Sequence, residues 1–110
     1  MNPGSIIVVT PYALSDSYRT PSFVQIDRVT PVGTIYGRYC ENDRILLDHN
    51  VHLSTSSHRP GAVTARTITL RPMRGRNAMD GYYTSKDIYK YARVEVWNPG
   101  QDIVHTTYND

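Results

Sequence analysis

Histidines and arginines are the residues in this sequence with the most chemistry to offer. Two of the four histidines stand in His-x-Ser/Thr triplets, His52-Leu53-Ser54 and His105-Thr106-Thr107, each preceded by Val. In such a pair one imidazole can act as base and the other as acid while the hydroxyls hold a phosphate. Ser and Thr supply 19 of the 110 residues, however, so two triplets of this kind arise readily by chance. His49 and His52, three apart and beside Asp48, are candidate metal ligands, but no third ligand stands at a recognisable spacing, and no metal or other cofactor is expected. There is no Gly-rich phosphate loop, no Gly-x-Ser-x-Gly elbow and no paired-carboxylate pattern. An enzyme is not expected.

The charges point to binding instead. Net charge is only +2, too small to argue for nucleic acid by itself, but no acidic residue occurs between Asp48 and Asp80. That interval holds Arg59, Arg66, Arg71, Arg74 and Arg76 with His49, His52 and His58. Arg offers a planar fork for phosphate or carboxylate, so the segment 49–79 is a candidate anion surface; the alternative is that these arginines pair with acids elsewhere or are simply solvated. Nine tyrosines form the second feature, Tyr82 and Tyr83 among them. Tyr beside Arg suits base stacking on single strands and suits protein interfaces equally, and core packing with the hydroxyl in water competes with both. The candidate binding set is Arg59, Arg66, Arg71, Arg74, Arg76, Tyr82 and Tyr83.

The elements that must carry these residues are strands. Helix formers are scarce (five Ala, two Glu, two Lys) against ten Val, eight Ile, eleven Thr and nine Tyr. A length of 110 residues makes one domain, residues 1–110, and no apolar run approaches the roughly 20 residues of a membrane span. Ile6-Ile7-Val8-Val9 lacks a basic flank and is too short for a signal-peptide core, so a cytoplasmic protein with no membrane partner is expected. Cys40 is alone and is expected to be a buried small apolar residue.

Along the chain, Ser5–Val9 reads as a buried strand closed by Thr10-Pro11, and Tyr12–Pro21 as a polar loop. Ser22–Val29 and Thr34–Cys40 alternate in polarity and form a hairpin across Pro31–Gly33. Glu41–Asp43 reads as a polar turn, Arg44–Leu47 as a short strand continuing after a bend, and Ser54–Gly61 as a loop. Ala62–Leu70 alternates without a strongly apolar face, as an edge strand does. Leu70–Asn77 is a loop, and Thr84-Ser85-Lys86-Asp87 resembles a capped start for a short helix over Ser85–Ala92. Arg93–Thr107 fits strand pairing, with Asn98-Pro99-Gly100-Gln101 as the turn of a terminal hairpin, although Arg93–Val96 also continues a helical face. The expected core is Ile6, Val8, Val24, Ile26, Val29, Ile35, Ile45, Leu47, Ile68 and Leu70. The fold class is mainly β: a small SH3-like barrel or a compact antiparallel sheet with one short helix.

From Phe23 the wording Phe-Val-Gln-Ile-Asp-Arg-Val-Thr-Pro-Val-Gly-Thr-Ile-Tyr is similar to that of small SH3-like barrel proteins encoded by bacteriophages. Thr69-Leu70-Arg71-Pro72 and Thr84-Ser85-Lys86-Asp87 follow in matching order, so the resemblance touches residues 5 to 92. It departs at Asp48–His58 and after Trp97, and it carries over no catalytic residue. It implies a phage-encoded accessory protein that docks on a host protein and modulates or inhibits it, without catalysis. Nucleic-acid binding through the acid-free segment 49–79 is the alternative. The two His triplets also resemble the paired motifs of two-histidine phosphoesterases, but the chain is short for that duplicated fold and no apolar residue follows the hydroxyls, which leaves this a minor alternative.

Overall fold

The computed structural model describes residues 1–12, 20–76 and 78–108. Seven strands form one antiparallel sheet: β1 (Ile6–Pro11), β2 (Ser22–Val29), β3 (Ile35–His49), β4 (Leu53–Pro72), β5 (Tyr82–Thr84), β6 (Ala92–Val96) and β7 (Ile103–Tyr108). Each of β1 to β6 pairs with the next in sequence, and β6 pairs back onto β1, so six strands close a ring. Pairing neighbours in sequence needs only short connections, and closure removes two sheet edges from water. The molecule is therefore mainly β, as the composition implies. It is not a clear SH3 barrel, because β3 and β4 run on far beyond the ring and β7 joins them there.

The lumen is filled by Ile7, Val9, Val24, Ile26, Ile35, Ile68, Leu70, Ala92 and Val94, with Val29, Tyr39, Tyr83 and Ile88 packed at its ends. A second cluster of Val8, Phe23 and Cys40 lies on the outer side of β1–β3 and is covered by Ile6, Trp97 and Ile103. The unbroken apolar run Ile6–Val9 follows from this: β1 is buried on both faces, so it does not alternate. A register shift between Ile26 and Arg28 explains how both Ile26 and Val29 reach the lumen from one strand. Two glycines are required by geometry. Gly33 turns the β2–β3 hairpin at φ +90°, and a Cβ at Gly37 would stand 2.5 Å from Val24 Cγ1 and 2.6 Å from the Gln25 carbonyl oxygen.

The structure corrects several expectations. Glu41–Asp43 is not a turn and Ser54–Gly61 is not a loop: both belong to the long β3–β4 pair, where Asp43 stands opposite Arg59 and Leu46 opposite Ser56. Ile45 and Leu47 are not core residues but 63% and 57% exposed. No helix follows Ser85. The Ile88 amide reaches the Ser85 carbonyl at 3.1 Å, closing one turn, and Lys90 then adopts a left-handed backbone (φ 59°) that returns the chain to β6. Asn98–Gln101 does turn, with the Gln101 amide on the Asn98 carbonyl at 2.9 Å, yet β6 and β7 do not pair with each other; β7 crosses to β4. Most of the Tyr12–Pro21 loop, residues 13–19, and Asn77 lie outside the described residues. Among those described there is no helix, hence none long and apolar enough to cross a membrane.

Candidate functional site

The distal half of β3, the first half of β4 and all of β7 form a three-stranded arm. Its tip is the turn Asn50–His52, where the Asn50 side-chain oxygen accepts the His52 and Leu53 amides at 2.7 and 3.0 Å. Cross-strand partners point to the same face of a sheet, so the register sorts the arm into two sides. One side carries the rows Arg44–His58–Ile103 and Leu46–Ser56–His105. Ile103 belongs to the cluster over Phe23, and Asn42 Nδ2 donates to the Pro21 carbonyl at 3.0 Å, so the base of this side lies against the barrel wall.

The other side is open. Its rows are Asp43–Arg59, Ile45–Ser57–Val104, Asp48–Thr55–Thr106 and Leu53–Tyr108, with Leu47 at the register shift just before Asp48. Val104 is 59% and Tyr108 72% exposed. Ser57, lying between Ile45 and Val104, is almost wholly covered. Paired strands hold these apolar groups in place, and Thr55 and Thr106 join their hydroxyls at 3.0 Å across the pair. At the base of the face the Arg59 guanidinium bonds Asp102, whose carboxyl it holds below the usual carboxylate range.

On the covered side, His58 is 1% exposed and its ring stands 6.3 Å from that of His105. His58 Nδ1 lies 3.0 Å from Asn42 Oδ1, an acceptor, which places the ring hydrogen on Nδ1 and leaves Nε2 without a partner among the described residues. Burial pushes the His58 imidazole below its ordinary pKa, and His105 and Arg44 add to the effect; burial and Arg44 lower His105 likewise.

The sequence-derived binding residues are dispersed. Arg59 lies on the arm, while Arg66 and Arg71 follow it on β4, the span from Arg59 to Arg71 amounting to about 40 Å of strand contour. Arg66 caps the Tyr39 ring at 4.5 Å, and Arg71 borders a groove of about 280 Å³ with Ser85, Lys86 and Asp87. Arg74 donates to the Val32 carbonyl at 3.1 Å, and Arg76 is exposed in the loop beyond. Tyr82 meets Tyr91 edge-on at 5.5 Å, and Tyr83 packs on the lumen cluster. These seven residues do not share one surface. His52 sits in the arm tip, four residues along β4 from the partner of His105, about 13 Å by strand rise, and the ring facing His105 is that of His58. His49 Nδ1 is 2.6 Å from Ser54 Oγ, and among the described residues no three His, Cys, Asp or Glu side chains converge as metal ligands.

The open apolar face was not singled out from sequence. Its signal is Ile45 and Leu47 in an apolar triplet between charged residues, which no half-buried strand requires; the middle residue, Leu46, lies on the other side of the arm and is exposed there too. No family model, curated protein or solved structure matches the chain.

Proposed function

We propose that the protein is a non-enzymatic binding module that docks on a partner protein through the open face of its arm. One observation carries this: Ile45, Val104 and Tyr108 are held exposed on paired strands with Leu47 at the register shift among them, flanked by Asp48 and by the charged base formed by Asp43, Arg59 and Asp102. Apolar groups grouped on one ordered surface and rimmed by polar ones are the usual form of a docking site. The arginines of segment 49–79 are spread along β4 (Arg59, Arg66, Arg71) and into the loop after it (Arg74, Arg76), which suits a polar rim better than a single phosphate track. Under the phage resemblance the partner is a host protein that docking would modulate or inhibit.

Affinity capture from a bacterial lysate tests the proposal. The wild-type chain should retain one dominant protein, and the pair Ile45→Asp and Leu47→Asp should lose it. Arg74→Glu and Tyr82→Ala, both away from the arm, should retain it. Loss of capture in Arg74→Glu alone would move the site to the loop after β4, and no retained protein at high loading would remove the proposal.

A further inference from the structure

The arm has two outer edges, and they differ in composition. The distal part of β3 carries Glu41, Asp43, Arg44 and Asp48, the kind of charged edge that resists pairing with another chain. β7 reads Ile-Val-His-Thr-Thr-Tyr, with no Lys, Arg, Asp or Glu and no Pro, and among the described residues it pairs only with β4. Its other side borders a groove of about 280 Å³ lined across from Ile103–Thr106 by Thr10, Pro21 and Arg93.

We infer that two copies of this chain associate through β7, joined antiparallel and edge to edge into one six-stranded sheet across both arms. The argument is self-complementarity. Two identical antiparallel neighbours are related by a two-fold axis perpendicular to the sheet, so each residue faces one of matching parity and both open faces lie on the same side. With the axis at Thr106, Val104 of one copy faces Tyr108 of the other, twice, and Thr106 faces itself. The exposed β-branched and aromatic side chains thereby become the cross-strand pairs that stabilise sheets, and within Ile103–Tyr108 there is no charged residue to be set against its like. An axis at His105 would oppose two imidazoles and leave Tyr108 without a partner. This association shares Val104 and Tyr108 with the proposed docking face but rests on the main-chain edge of β7, and Ile45→Asp with Leu47→Asp, which tests the docking, leaves that edge unchanged.

Sedimentation equilibrium of the full chain tests it, run at up to about 100 μM, well above the Kd of a micromolar interface. A dimer is expected. Val104→Lys with Tyr108→Lys sets lysines opposite one another twice and should raise the dimer Kd by about tenfold or more, whereas Val104→Lys with Tyr108→Glu sets opposite charges together and should keep the dimer. Circular dichroism confirms that each variant is folded. Thr106→Cys supplies an independent readout: under mild oxidation it should cross-link across the axis, since Cys40 is buried, and Thr107→Cys should not. A monomeric wild type, including one that pairs β7 only with a strand of another protein, overturns the inference. So does a dimer that survives the lysine pair, or equal cross-linking at both cysteine positions.

Discussion

His58 and His105 meet edge to face across β4 and β7, their ring centroids 6.3 Å apart, and the cationic group closest in effect to both is Arg44, not a carboxylate. The acids of the arm base, Asp43 and Asp102, stand on the opposite face with Arg59. Among the described residues, no carboxylate on the covered side is therefore placed to favour a protonated form of either imidazole.

Stability should consequently depend on pH. Both histidines have folded-state pKa values below the unfolded value of about 6.5, so the unfolded chain binds more protons below that pH. The stabilisation is complete above about pH 6.5 and is lost as pH falls toward the folded-state values, at no more than about 1.4 kcal/mol per pH unit for each histidine. Urea midpoints at pH 7.5 and 5.5 measure this. Replacing His105 with Gln should flatten the profile; an unchanged profile would show that the pair does not titrate with unfolding.

Cys40 is 8% exposed, and burial pushes its thiol above the ordinary value, so the nucleophilic thiolate is scarce as well as covered. Labelling of the native protein by an aromatic disulfide should run at least about 100-fold slower than in denaturant, limited by opening of the cluster over Phe23. Rapid native labelling would contradict the packing of Ile103 and Trp97 there.

Gly37→Ala should destabilise the fold by about 1–3 kcal/mol, because the added carbon meets the Gln25 backbone and Val24 rather than a flexible side-chain end. Chemical denaturation gives the difference. Gly75→Ala, where the added carbon meets nothing within 4 Å but φ is +104°, separates backbone strain from crowding.

Single-stranded DNA offers a direct check on the charge distribution. Dispersed arginines, one of them bonded to Asp102, should give weak association whose salt slope is no steeper than about −2, at about −0.7 per neutralised phosphate. A much steeper slope in a gel-shift series would favour segment 49–79 as a nucleic-acid surface.

Where local pattern and tertiary role coincide, the chain is readable from sequence. Ser22–Val29 is a strand over the residues its alternation marks, Gly33 makes the turn, and Val24, Ile26, Ile35, Ile68 and Leu70 fill the lumen. The arm was hidden because a strand exposed on one side and partly exposed on the other has no period-two signal. Glu41-Asn42-Asp43 and Ser54-Thr55-Ser56-Ser57 carry turn-like compositions while being hydrogen-bonded across a ladder. The same gap misplaced Ile45 and Leu47, whose apolar character reads as burial. After Thr84 a good local cap is overruled by packing: Ile88 turns toward the lumen cluster after a single turn, and the chain must reach β6 within a few residues. Dispersion of the arginines was invisible for a further reason, since nearness in sequence becomes distance when the segment is one extended strand.

Because β3 and β4 pass from the ring into the arm as one hydrogen-bonded pair, the arm is a spar rather than a tether. A load applied at Asn50–His52 is borne by the same ladder that walls the barrel, and compliance concentrates at the register shifts between Arg38 and Asn42. A molecule gripping the tip thus fixes the orientation of the barrel as well as its distance, and a torque on either end is delivered to the other.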